Sequence, residues 1–219
     1  MPPIRELFRL GYKPNPWALP EWKYRPFSGR YADPRDEYRT LYAAALRLTA
    51  FVEAIQNLVT LFRPDPELVA ALAEIEGPDD LPLASQLPRR IMEQHLQIRQ
   101  MGSGSFDVGH DRFAEICSSQ WITRLRHVLQ PHLHGLGLQS FDLSSLLLSE
   151  PRRLTQLASR AVYDTGIRII RYPSKFGIEL ENWAFLDSVP VADQALQDVR
   201  VDDPDLHAAL RLHGFELSD

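Results

Sequence analysis

Leu48, Phe51, Val52, Ile55, Leu58, Val59 and Phe62 recur at helical spacing and predict a helix from about Leu46 to Phe62, stopped by Pro64. A helix with one apolar stripe has to bury it against a second layer. The segments around it read differently. Residues 5–12 (RELFRLGY) and 38–43 (YRTLYA) read as strands. Between them Pro14, Pro16, Pro20, Pro26 and Pro34 alternate with Trp17, Trp22, Tyr24 and Phe27. Proline removes donors and fixes φ, so this stretch is a loop whose aromatics pack on the body.

Further along, Asp65 caps a short helix ending at Gly77, and residues 88–100 fit strand or helix. MGSGSFDVG (101–109) reads as a flexible connection, and Asp111–Leu129 as a helix ended by Pro131. Another helix runs from about Ser149, with Pro151 in its first turn, to Tyr163. Ile167–Arg171 and Trp183–Leu186 read as strands, and residues 204–212 as a terminal helix. Helices and strands mix without regular alternation, so the fold class is α+β. The 219 residues suit a single domain.

Composition excludes several classes of function. The net charge of −5 and the lack of a long basic run speak against nucleic-acid binding. No stretch approaches the ~18 apolar residues of a membrane span. A lone cysteine, Cys117, and an N-terminus unlike a signal peptide predict a cytoplasmic protein. Cys117 is expected inside a helix as a buried thiol. Of 24 basic residues only three are lysines, Lys13, Lys23 and Lys175. Phosphate recognition or genomic base composition would each produce that bias. The phosphate-loop, dinucleotide-fold, zinc-protease and serine-hydrolase signatures are absent. His127, His132 and His134 lack supporting ligands at a suitable spacing, so no metal is expected.

What remains is a set of polar residues in unusual places. Arg9 sits inside the apolar LFRLG. Arg30 and Tyr31 follow Ser28 and Gly29, Tyr42 ends a strand, and Glu53 lies eleven residues beyond Tyr42. Ser174 lies in RYPSKFG. Taken singly, each has an ordinary reading. Glu53 lies nearly opposite the apolar stripe, beside Ala50, Ala54 and Asn57, as a solvated glutamate would. Arg9 is either outward-facing or buried and paired. Tyr42 suits a core aromatic as well as a ligand stacker, and Ser174 a turn.

In order along the chain, LFRLG, FSGRYADP, YRTLYAAALRLTAFVEAI, RLTQLASRAVYDTGIRIIRYPSKFG and NWAFLD resemble the segments of the RES-domain family. The resemblance covers about residues 7–187 of a single domain 1–219, with 64–150 poorly matched and 190–219 a C-terminal extension. Ser28 stands where a glycine is common, and Lys175 where an arginine is common.

The resemblance implies a fold similar to the ADP-ribosyltransferase toxins, a split mixed β core with helices around a cleft. It implies NAD as substrate, cleaved to nicotinamide by hydrolysis or phosphorolysis, and a cognate antitoxin, often with a helix-turn-helix. Homo-oligomer formation is left open. An ADP-ribosyltransferase acting on a protein and a non-catalytic NAD-binding or partner-binding module are the other readings. Glu53, Arg30, Tyr42 and Ser174 take catalytic roles by that resemblance. Arg9, Arg30, Tyr31, Tyr42, Ser174 and Asn182 take NAD-binding roles. Two arginines can grip a pyrophosphate with paired, charge-assisted bonds, and a carboxylate suits an oxocarbenium-like transition state.

Overall fold

The computed structural model describes residues 4–19, 21, 29–61, 89–109, 113–148, 152–187 and 191–218. The expected helix over 65–77 lies outside these residues, as do Trp22, Tyr24, Phe27 and Ser28. Seven strands form one sheet in the order β5-β6-β7-β2-β1-β4-β8. They are β1 Ile4–Tyr12, β2 Thr40–Ala44, β4 Arg99–Asp107, β5 Phe113–Glu115, β6 Ile169–Ser174, β7 Gly177–Leu186 and β8 Ala192–Asp198. Only β5 and β6 run parallel. A second, two-stranded parallel sheet pairs β3 (Arg89–Met92) with β9 (Phe215–Ser218).

The large sheet is nearly split in its middle. β1 follows β4 from Ile4↔Asp107 to Tyr12↔Arg99, and β2 follows β7 from Thr40↔Leu186 to Ala44↔Asn182. The two halves meet through one register, Phe8↔Ala44. The fold is therefore α+β with the split mixed core expected.

Helices cover the front face in two groups. α1 (Arg47–Leu61), α2 (Gln94–Gln97) and α6 (Pro204–His213) cover one half, around Phe51, Val52, Ile55, Leu206 and Leu210. α3 (Ser119–Leu133), α4 (Leu143–Leu148) and α5 (Arg153–Tyr163) cover the other, around Leu125, Leu129, Leu146, Ala158 and Val162. The back face carries Leu7, Leu41, Ala43, Trp183 and Phe185, and Trp17 packs onto it as expected of a loop aromatic.

α6 has clear local causes. Asp203 caps it by accepting from Asp205 N at 2.9 Å, Pro204 opens it, and Gly214 closes it at φ 68°. The Arg47–Asp203 ion pair at 2.5 Å ties it to the start of α1.

Several expectations change. Residues 101–109 are not a flexible connection: 99–107 form β4. A Cβ at Gly102 would lie 2.7 Å from Trp17 Nε1, so the glycine makes room for the loop packed across the strand. The helix expected from Asp111 begins only at Ser119, after β5 and a turn, with the Ser118 hydroxyl accepting from Trp121 N. Cys117 is therefore half-buried in that turn and not within a helix. Pro131 does not end α3, because Leu133 extends the buried stripe of Trp121, Leu125 and Leu129. β7 begins at Gly177, well before Trp183. His127, His132 and His134 are all exposed, and no metal-binding group is found among the described residues. None of the described helices is long and apolar enough to cross a membrane.

Candidate active site

On the front face, between the two helix groups, the sheet carries two cross-strand rows: Tyr172–Asn182–Ala44 and Ile170–Ala184–Tyr42. Side chains on neighbouring strands in one register share a face, so this strip lies beside the place where β1 and β2 part. Most of the residues singled out from the sequence gather on it or around it.

Glu53 reaches the strip from α1. Its Oε1 accepts a hydrogen bond from Asn182 Nδ2 at 2.8 Å, and Asn182 is buried. Glu53 is half-buried and not a solvated helix residue. Its charge is felt by the buried Tyr172 phenol. Burial chiefly, then Glu53, push that phenol well above its ordinary range, while Arg30 opposes them. Tyr172 thus feels both the carboxylate and the guanidinium.

The Gly29–Tyr31 turn is held from several sides. The Tyr42 hydroxyl accepts from Tyr31 N at 2.9 Å, and a Cβ at Gly29 would lie 3.1 Å from that hydroxyl. A side chain at Gly29 would press the Tyr42 hydroxyl by a few tenths of an ångström. Gln156 Nε2 donates to Gly29 O at 3.3 Å, and Thr40 Oγ1 donates to Tyr31 O at 2.8 Å. Arg30 Nη1 donates to Leu146 O at 3.0 Å and Leu147 O at 3.1 Å near the end of α4. The Tyr31 ring is fully buried, edge-on to Tyr172 at 4.8 Å. Its hydroxyl makes no hydrogen bond of normal geometry among the described residues, and burial holds its pKa far above the usual phenol value against the charge and a weak side-chain contact of Arg30.

Burial pushes the Tyr42 phenol up to about 12, against a hydrogen bond from the Tyr31 backbone and the positive fields of Arg152, Arg30 and Arg9. Arg9 approaches from elsewhere. Its Nε donates to Pro16 O at 2.6 Å and its Nη1 to Tyr42 O at 2.5 Å. Burial lowers its guanidinium to about 10, which leaves it cationic at neutral pH. Ser174 is buried at the end of β6, two residues beyond Tyr172, where its hydroxyl accepts from Phe176 N at 3.2 Å. That bond is local to the turn.

Four contributors escaped the sequence reading. Tyr172 and Gln156 lie within the matched segments but carry no singular signal. Arg152 is one of many arginines. His213, at the end of α6, sets Nε2 2.8 Å from Val52 O and stands edge-on to Phe176 at 4.5 Å, beside the Glu53 charge.

The site therefore brings together a positioned carboxylate, buried phenols and the positive charges of Arg30 and Arg152 acting on them. Such an arrangement suits a substrate with an anionic part and a centre that becomes positive in its transition state.

A family model described as RES domain matches residues 6–209. No curated protein matches the chain. Among solved structures, the chain is similar to one described as the crystal structure of the M. tuberculosis MbcT-MbcA toxin-antitoxin complex. The TM-score is 0.54 and the identity 10%, over 97% of this chain and 90% of that one. At that identity the likeness concerns the fold.

Proposed function

The chain belongs to the RES-domain family, and on that premise we propose that it cleaves NAD at the nicotinamide–ribose bond, as the toxin of a toxin–antitoxin pair. The observation that carries this reading is the 2.8 Å bond from Asn182 to Glu53, which seats a carboxylate over a strip flanked by arginine charge.

The C1′–N bond breaks with its electron pair leaving on nicotinamide, a neutral base, so no general acid is required. The ribosyl group becomes oxocarbenium-like. Glu53 stabilises that charge and is assigned to the ribose hydroxyls. Asn182, by donating to Oε1, holds the carboxylate in one rotamer. Arg30, with the Arg152 field beside it, is assigned to the pyrophosphate. Tyr42 supports the turn that carries Arg30 and offers a ring face to the nicotinamide or its ribose. Ser174 is assigned to the nicotinamide amide or a phosphate.

Water, which releases a proton to solvent, or inorganic phosphate then attacks the same ribose carbon, C1′, giving ADP-ribose or the phosphate ester of ADP-ribose at that carbon. An antitoxin is the proposed partner, because the similar fold was solved as a toxin–antitoxin complex.

The experiment is to incubate the purified protein with NAD, with and without phosphate, and to quantify free nicotinamide and the ADP-ribosyl product. Nicotinamide release in step with a soluble product is expected. No release under either condition would overturn the proposal, and ADP-ribose bound to protein would replace hydrolysis or phosphorolysis by transfer.

A further inference from the structure

Resemblance gives Arg9 a place at the dinucleotide, but its surroundings assign it other work. Across β1 and β4, Arg9 is paired with Gly102, and Gly102 lies under Trp17 and Pro16. Leu7, two residues earlier and on the same side, belongs to the back-face cluster. Tyr42 is paired with Ala184 and packs with the front-face cluster around α3 and α5. The Arg9 side chain therefore leaves its strand on the back of the sheet, opposite to the strip that Glu53 and Asn182 share.

From the back it makes two hydrogen bonds among the described residues, and both acceptors are main-chain carbonyls. The bond to Tyr42 O fills a gap in the sheet. β1 and β2 pair only at Phe8↔Ala44. Continued by two residues, that register would set Leu10 opposite Tyr42. The strands have already parted there, and the Arg9 guanidinium supplies the donor to the Tyr42 carbonyl instead.

The other bond holds the strap formed by residues 13–18 through Pro16 O. The strap is also held by Lys13 N to Ile98 O at 3.0 Å and by Gln100 Nε2 to Pro14 O at 2.6 Å.

We propose that Arg9 is a positioning residue, a clamp that joins the 13–18 strap to β2 where the sheet parts and so fixes Tyr42, whose hydroxyl holds the Gly29–Tyr31 turn and Arg30. The kinetic test rests on the NAD-cleaving reading, and the exchange test does not.

In the kinetic arm, nicotinamide release is measured for wild type, Arg9→Lys, Arg9→Ala and Gly102→Ala. The substrates are NAD and nicotinamide mononucleotide, which lacks the adenylate and the pyrophosphate. Loss of the clamp lowers kcat by roughly 10- to 100-fold, the worth of a hydrogen bond to a charged group. The loss is larger for NAD than for nicotinamide mononucleotide, because the clamp also seats Arg30, which is assigned to the pyrophosphate. Arg9→Lys does not rescue, because one ammonium on a flexible stem cannot span both carbonyls. Gly102→Ala, which pushes the strap away from the sheet at the position paired with Arg9, reproduces the profile. Arg9→Ala adds nothing in a Tyr42→Phe background, since the two act through one element. Additive effects of Arg9→Ala and Tyr42→Phe overturn the proposal in favour of a direct phosphate contact.

In the second arm, amide hydrogen exchange of Arg9→Ala is compared with wild type. Faster exchange at both 15–18 and 40–44, with α6 unchanged, is expected. Unchanged exchange at either segment overturns the clamp whether or not the protein acts on NAD. A wild-type protein inert toward NAD, with the exchange result as expected, removes the kinetic reading and leaves the clamp standing.

Discussion

The Asn182 amide donates to Glu53 Oε1 at 2.8 Å, so a buried residue of the central sheet sets the direction of a carboxylate on α1. The bond makes Glu53 part of the strip beside Tyr172, although the residue belongs to a helix that packs mainly through apolar side chains.

Asn182→Ala keeps Glu53 but frees its rotamer. With the hydrogen bond to a charged group worth ~1.5–3 kcal/mol, kcat for nicotinamide release should fall about 10- to 100-fold, with a smaller change in KM. Steady-state kinetics on NAD check this. An unchanged kcat would remove Asn182 from the account.

Stability at high pH should decline from about pH 10. Burial raises the Tyr42 phenol from 10.0 to about 12, and it raises those of Tyr31, Tyr38 and Tyr172 as well. A raised tyrosine pKa means the unfolded chain loses the proton first. The stabilisation is therefore complete below the unfolded value and is lost as pH climbs through the folded one. Thermal midpoints recorded across the alkaline range should be level up to about pH 9 and fall above about pH 10. A level curve beyond pH 11 would contradict these burial assignments.

His213 should act in the opposite direction. Desolvation lowers its pKa from 6.5, against the hydrogen bond to Val52 O and the Glu53 charge, with Lys175 pushing the same way as burial. Below the unfolded value the unfolded chain takes up the proton first, so this contribution holds above pH 6.5 and is lost as pH falls through the depressed folded value. His213→Gln retains a donor for Val52 O and removes the titration. Urea midpoints of the variant should change less than those of wild type between about pH 6.5 and pH 5, above the ordinary carboxylate range. Equal slopes would show that His213 does not contribute.

The Cys117 thiol should resist alkylation at neutral pH. Burial first, then the Glu115 charge, raise it to about 11, and it is half-buried. Labelling of the native protein at pH 8 should be much slower than that of the urea-unfolded chain. Equal rates would place the thiol in an open setting.

The sequence carried the polar set but not its arrangement. Arg30, Tyr31, Tyr42 and Asn182 were legible because their segments resemble a family in the right order. Glu53 looked solvated on a helical wheel, since a wheel assumes one packed side, whereas α1 is covered both by the sheet and by α6. Arg9 was legible as unusual, but a strand residue's face depends on its partners, and Gly102 is 93 residues away. β4 was hidden because its glycines make room for distant residues, Gly102 for Pro16 and Trp17 and Gly104 for Val191, and composition alone reads glycine and serine as loop. β8 shows no apolar alternation because all its side chains are exposed.

The central claim is that the Glu53 carboxylate stabilises a developing positive charge on the ribose of NAD. The most direct test is nicotinamide release by wild type and by Glu53→Gln, which keeps the shape and removes the charge, at matched folded concentration. The account predicts turnover by the wild type and a loss of about 100- to 1,000-fold in kcat for the variant, the scale seen when one preorganised electrostatic group is removed. Equal release by the two proteins would contradict it.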